Sequence, residues 1–211
     1  MLSILGLRMA ALVGLLTRRY RHLRREERVS LFADLVGSTA LAERLGASRY
    51  QSFLNRAFGE IAEQVERHAG AIYRYVGDAV VVTWPLEADD VRAGNCFRSA
   101  QAILDALEAA AASYVSDFGA APRFRLALHY GPVLAAEIGE LPRKILYSGH
   151  TLRATARMEA IAKRGGHTIV ASEHLLNRTP LPNGLRAQSL SSRTFQDKRV
   201  EHALVSIESR G

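Results

Sequence analysis

The segment Leu31-Phe32-Ala33-Asp34-Leu35-Val36-Gly37-Ser38-Thr39 runs from an apolar strand through an aspartate into a glycine and two hydroxyl residues that open a helix. Further along, Tyr75-Val76-Gly77-Asp78-Ala79-Val80 places a second aspartate at a strand end. Two carboxylates delivered at adjacent strand ends can hold two divalent cations against a polyphosphate, because Mg²⁺ prefers one or two carboxylates plus phosphate oxygens. The pair points to chemistry on a nucleoside triphosphate. Asp34 and Asp78 are the candidate metal ligands, and Val36, Gly37, Ser38 and Thr39 lead into a helix whose first N–H groups and positive dipole end suit the triphosphate.

Outward from these segments the periodicity alternates between strand and helix. Residues 28–35 read as a strand and 38–68 as helix, broken at Gly46-Ala47-Ser48, where Ser48 can cap the second segment. Residues 71–76 and 79–84 read as apolar strands joined by Gly77-Asp78, a two-residue hairpin signal, and Trp84-Pro85 ends the second. A long Ala-rich helix is expected over 89–118 and strands over 124–130, 133–138 and 144–147. A helix over 151–164, a strand over 168–171, a short helix over 172–177 and a final strand over 201–207 complete the order. It is that of an α+β sandwich, a largely antiparallel sheet with helices on one face.

At 211 residues and 48% hydrophobic, the chain is long enough to bury one domain. Its single cysteine, Cys96, excludes an intramolecular disulfide and fits a reducing compartment. The net charge of +7 would raise nucleic acid as a partner, but residues 1–29 carry seven arginines against Glu26 and Glu27, so +5 of it belongs to the leader. The remainder is close to neutral, which disfavours nucleic-acid binding. A basic leader helix is expected over 1–27, ahead of one catalytic domain over 28–207. Residues 1–16 are apolar except for Ser3 and Arg8, short for a bilayer span and followed by arginines rather than a cleavage site. Two readings of the leader stay open. Residues 1–28 contact anionic lipid at the inner face of the membrane, or they form a helix packed on a partner copy or on the domain.

Three segments in order carry a family resemblance: Phe32-Ala33-Asp34-Leu35-Val36-Gly37-Ser38-Thr39, Val76-Gly77-Asp78, and Gly149-His150-Thr151-Leu152-Arg153-Ala154-Thr155-Ala156-Arg157-Met158-Glu159. Together they resemble the signature segments of class III nucleotidyl cyclases, over about residues 28–207. The resemblance implies a ferredoxin-like cyclase sandwich in a cytoplasmic homodimer with active sites shared across the interface. It implies formation of a 3′,5′-cyclic nucleotide and pyrophosphate from a nucleoside triphosphate, ATP favoured, with two Mg²⁺ or Mn²⁺ ions per site. Asp34 and Asp78 would be the shared ligands, with the Leu35 carbonyl completing one metal shell. Arg157 would steady charge on the phosphate, and Lys198 would bind the triphosphate.

This chain departs from the family pattern at the base. Arg74 stands where adenylyl cyclases have a lysine that contacts adenine, and Leu146 stands where they have an aspartate or threonine that accepts from the adenine amine. Arg153 replaces the ribose-orienting asparagine and adds charge near the phosphates, and His150 replaces an aspartate. A cyclase for guanine or a pyrimidine base, or a catalytically weak regulatory module that binds nucleotide, is therefore weighed beside the adenylyl reading. His129 is expected to be structural, and His68, His167, His174 and His202 lack metal-ligand spacing.

Overall fold

A computed structural model describes residues 22–86, 94–138, 144–197 and 200–209. The first strand, β1 (Arg24–Leu35), is followed by α1 (Ser38–Leu45), α2 (Ala47–Arg67), and the hairpin strands β2 (Ala71–Val76) and β3 (Ala79–Pro85). Then come α3 (Asn95–Ala109), α4 (Ala111–Phe118), β4 (Phe124–Ile138), β5 (Lys144–Ser148) and α5 (His150–Gly165). The chain closes with β6 (Ile169–Ser172), α6 (Glu173–Leu176), β7 (Leu185–Asp197) and β8 (Val200–Ser209). One eight-stranded sheet has the order β2-β3-β1-β4-β6-β8-β7, with β5 paired to β4. Every pairing is antiparallel except β4 with β6.

The α+β class and the largely antiparallel sheet are as expected. The helices, expected on one face, are divided between two. Strand alternation explains the division, because successive side chains point to opposite faces. Leu31, Ala33, Val80, Val82, Leu126 and Leu128 join the larger core with Phe53 and Ile61 of α2, Phe97 and Ile103 of α3, and Tyr114 of α4. Ala127, Val170 and Leu204 point the other way and form a second core with Ala154, Met158 and Ala162 of α5.

Several boundaries move for physical reasons. β1 begins at Arg24, so residues 24–27, expected in the leader, belong to the sheet and pair with β4. Residues 1–21 of the leader lie outside the described residues. The strand break expected at Gly131-Pro132 does not occur. On the β4 edge away from β1, β6 pairs with Leu126–Leu128 and β5 with Leu134–Ile138, so Pro132 falls in the gap between them and forfeits no ladder bond. The expected cap Ser48 lies inside α2, and Gly46, at φ 73°, separates the two helices instead. The helix expected over 89–118 is two helices, α3 and α4, and its first residues lie outside the described set. β7 had no counterpart in the sequence reading.

Candidate active site

Along β1, Val29, Leu31, Ala33 and Leu35 enter the larger core, which leaves Ser30, Phe32 and Asp34 facing α5. Ser30 Oγ and Thr155 Oγ1 share a hydrogen bond of 2.6 Å that seats α5 on this strand. Its first turn is fixed to β4, where Thr151 Oγ1 donates to the Pro132 carbonyl at 2.7 Å. The approach is close enough to require glycine at position 131, since a Cβ there would stand 2.8 Å from Thr151 Oγ1.

Asp34 ends this face of β1, opposite Ala79 of β3 and Arg125 of β4. Asp78 occupies the β2–β3 turn directly before Ala79, so the hairpin carries it to Asp34. Burial raises the Asp34 pKa above its ordinary value, and the Asp78 charge raises it further, while Lys163 and Arg125 pull it down. Glu159 of α5 lies beside Asp34 and has its own pKa raised, by burial first and by the Asp34 charge second. Only 8% of Glu159 is exposed, and its Oε1 is buried without a hydrogen-bond partner. Three carboxyl groups and two cationic side chains thus share one end of the sheet.

The structure gives the loop residues different tasks. The Val36 amide donates to the Arg123 carbonyl at 2.8 Å and is not free for a ligand. Gly37 rather than Ser38 occupies the N-cap of α1, and Ser38 lies beside Tyr50, whose pKa is raised by burial and then by the Asp78 charge. The N-terminus of α1, from Gly37 through Ser38 and Thr39, has neither a side-chain cap nor an acidic residue in its first turn. Unsatisfied N–H groups at the positive end of a helix dipole favour an anion. Leu35 is buried in the larger core and pairs with Phe124.

Among the described residues no group of three His, Cys, Asp or Glu side chains is arranged to hold a metal ion. Asp34 and Asp78 fit the alternative, an open carboxylate pair that relies on phosphate oxygens for the rest of the shell. A groove of about 570 Å³ borders this end of the molecule at Val36 and Arg125, but neither aspartate lines it.

Arg153 and Arg157 stand apart from this cluster. The buried side of α5 is Thr151, Ala154, Thr155, Met158, Glu159 and Ala162, whereas Arg153 and Arg157 are exposed. Successive helical residues turn by about 100°, so Arg157 lies about 200° around the helix from Glu159. Arg153 sits beside the His150 ring, its Nη2 3.4 Å from each ring nitrogen.

Arg74 and Leu146 lie on β2 and β5, Leu146 with 36% exposure. They are linked through their neighbours: the Tyr73 hydroxyl meets the Tyr147 backbone, and the two rings lie 5.2 Å apart. Lys198 lies outside the described residues. His129 is buried, with Nδ1 2.8 Å from Ser172 Oγ.

Glu159, Tyr50, Lys163, Arg125 and Tyr73 were not singled out from the sequence. For Glu159 a signal existed, because it sits four residues after Thr155 on the stripe that carries Ala154, Met158 and Ala162, where an unpaired acid is out of place.

The family described as adenylate and guanylate cyclase catalytic domain matches residues 22–188, a span that holds both aspartates, Arg74, Leu146, Arg153 and Arg157. The chain is 42% identical over 195 residues to adenylate cyclase 2 of Rhizobium meliloti (strain 1021), a match covering 92% of this chain and 53% of that protein. It therefore spans about half the length of that relative. Adenylate cyclase 1 of the same organism is 28% identical over 154 residues, covering 70% of this chain and 23% of that protein. Among solved structures, the guanylyl cyclase Cya2 superposes with a TM-score of 0.74 at 21% identity, covering 89% of this chain and 94% of that one. A bacterial light-regulated adenylyl cyclase gives a TM-score of 0.73 at 16% identity, covering 87% and 91%.

Proposed function

Since this chain belongs to the adenylate and guanylate cyclase catalytic-domain family, we propose that it forms a 3′,5′-cyclic nucleotide and pyrophosphate from a nucleoside triphosphate, with ATP favoured. The observation that carries this reading is the meeting of Asp34 with Asp78 beside the uncapped N-terminus of α1. In the reaction the ribose 3′-oxygen bonds to the α-phosphorus, the bond from that phosphorus to the β-bridging oxygen breaks, and the 3′-hydroxyl proton is released. Asp34 and Asp78 would hold two Mg²⁺ or Mn²⁺ ions, with the Leu35 carbonyl as a further donor. Bound there, the metals lower the pKa of the 3′-hydroxyl and neutralise the phosphates. The N–H groups of Gly37, Ser38 and Thr39 meet the triphosphate, and Tyr50 stands beside the Ser38 side chain. Lys198 is a further triphosphate contact in this reading.

The exposed arginines of α5 support a homodimer. Arg157 faces away from its own chain's Asp34, so the guanidinium that steadies transition-state charge comes from a second copy. Arg153 follows on the same side one helical turn earlier and adds positive charge.

Arg74 and Leu146 favour a second reading of the base. An arginine only donates and a leucine does neither, so these two side chains cannot satisfy the adenine amine. Guanine and uracil, which present carbonyl oxygens, are the competing bases.

A cytoplasmic location fits the single cysteine Cys96 and the proposed nucleotide substrate, with residues 1–28 as candidates for contact with anionic lipid. Among the described residues no helix is long and apolar enough to cross a membrane. Incubation of the purified protein with Mn²⁺ and each of the four triphosphates, followed by mass spectrometry of any cyclic product, tests the activity and the base together. Binding without any cyclic product would favour the regulatory module instead.

A further inference from the structure

Tyr73 is an extra residue in β2. The register with β3 passes from Ile72 opposite Val82 directly to Arg74 opposite Val81, so Tyr73 forms a bulge, a device that re-aims side chains next to functional sites. Its hydroxyl donates to the Tyr147 carbonyl at 3.0 Å and accepts from the Tyr147 amide at 3.1 Å. Strand β5 pairs with β4 alone among the described strands, so its other edge would present unpaired backbone groups. One phenol hydroxyl serves both groups of Tyr147 there, in place of a neighbouring strand.

Cations flank the two rings. The Arg74 guanidinium carbon lies 5.3 Å from the Tyr73 ring centroid, and that of the buried Arg28 lies 4.4 Å from the Tyr147 centroid. Arg28 is fixed in turn, donating to Glu26 at 2.9 Å and to Thr83 at 3.3 Å. The order Arg28, Tyr147, Tyr73, Arg74 therefore runs from an anchored interior cation to an exposed one, with two rings between them.

We propose that Tyr73 is the positioning residue of the nucleobase pocket, setting the separation between Arg74 on β2 and Leu146 on β5 through its bonds to Tyr147. The proposal rests on the reading of Arg74 and Leu146 as the base-facing residues. With neither side chain able to accept a hydrogen bond, discrimination among bases rests on where the Arg74 donors stand relative to the ring acceptors. Tyr73 controls that spacing. It precedes Arg74 in sequence, and its partner Tyr147 follows Leu146.

Tyr73→Phe keeps the ring beneath Arg74 and removes both hydrogen bonds. The expected result is a rise in KM for the triphosphate of about threefold to tenfold, with kcat at saturation within about twofold and any base preference narrowed. Faster hydrogen exchange at the Tyr147 amide should accompany it. A uniform fall in kcat with unchanged KM and base preference would make Tyr73 merely structural and overturn the proposal. Arg74→Ala separates this proposal from the reading beneath it. If Arg74→Ala leaves KM and base preference untouched, the base-pocket reading falls. If it alters them while Tyr73→Phe does not, only the role of Tyr73 falls. Should Tyr73→Phe fail to fold, exchange at the Tyr147 amide in the unmodified protein decides. Slowing by a non-hydrolysable ATP analogue supports the proposal, and unchanged exchange with the analogue bound overturns it.

Discussion

Mixing two inactive variants should restore activity, by an amount that the faces of α5 dictate. Glu159 packs against Asp34 of its own chain, and Arg157 lies about 200° away on a helix roughly 10–12 Å across, side chains included. In the proposed homodimer, a site built on Asp34 takes its arginine from the partner. Asp34→Ala and Arg157→Ala should each be inactive alone. In an equal mixture that associates at random, about half the dimers are mixed, and each mixed dimer has one site with both groups intact, so about a quarter of the original activity returns. The converse mixture gives an independent number. An equal mixture of unmodified chain with the Asp34→Ala/Arg157→Ala double variant should keep about a quarter of its sites, whereas sites lying within single chains would keep about half. Cyclic product is measured by mass spectrometry, and mixed dimers are verified by native mass spectrometry. No recovery in the first mixture, with mixed dimers present, or half retention in the second, would refute the interfacial site.

In the absence of metal, Glu159→Gln should raise the melting temperature at neutral pH. Asp34 and Glu159 have folded-state pKa values raised above their ordinary ones, so ionising them costs stability as pH climbs from the ordinary carboxylate range through the folded values, and the gain from Glu159→Gln should vanish below that range. An unchanged or lower melting temperature for Glu159→Gln at neutral pH would contradict the electrostatic picture of the cluster. Mn²⁺ at a hundredfold excess over its Kd should stabilise the protein by about 2.7 kcal/mol, roughly 5–10 °C in Tm for a domain of this size. Asp34→Ala and Asp78→Ala should abolish that shift and leave less than a few per cent of the activity; retention of the Mn²⁺ shift in either variant would remove it from the metal site. Phe53, fully buried and edge-on to Tyr114 at 5.1 Å and Phe118 at 5.4 Å, should cost about 3–5 kcal/mol on truncation to alanine, read by denaturant unfolding.

What could be read from the sequence was what repeats with a short period or turns on a two-residue signal. The 31–35 strand, the Gly77-Asp78 hairpin and the amphipathic stripe of α5 all announce themselves locally; the first two bring the two aspartates together, and the third leaves both arginines on its exposed side. Strand β7 has no such pattern. Its sequence, Leu185-Arg186-Ala187-Gln188-Ser189-Leu190-Ser191-Ser192-Arg193-Thr194-Phe195-Gln196-Asp197, is mostly polar, and it is a strand because it lies at the sheet edge against β8, with a register shift between Ser189 and Thr194. Pro132 misled in the opposite direction, since a proline inside a strand is harmless only where the neighbouring strands leave a gap, and that is a fact of topology.

The same distinction governs the site. A motif states which residues occur together, and the helix turn between Arg157 and Glu159 is already implicit in their spacing. Which of them meets Asp34 is not, because that depends on which face of α5 lies on the sheet. The contact between Ser30 and Thr155 settles it, turning Glu159 inward and Arg157 outward, and the proposal that one motif serves two chains rests on that division. Tyr73 is a further step removed. Nothing local distinguishes a bulged tyrosine from a paired one in Ile72-Tyr73-Arg74-Tyr75, and its hydroxyl acquires a task only when β5, arriving from far along the chain, brings the Tyr147 carbonyl and amide to it. The residues that hold the chemistry are legible as types at a spacing, whereas those that set its geometry are defined by contacts between segments distant in the chain.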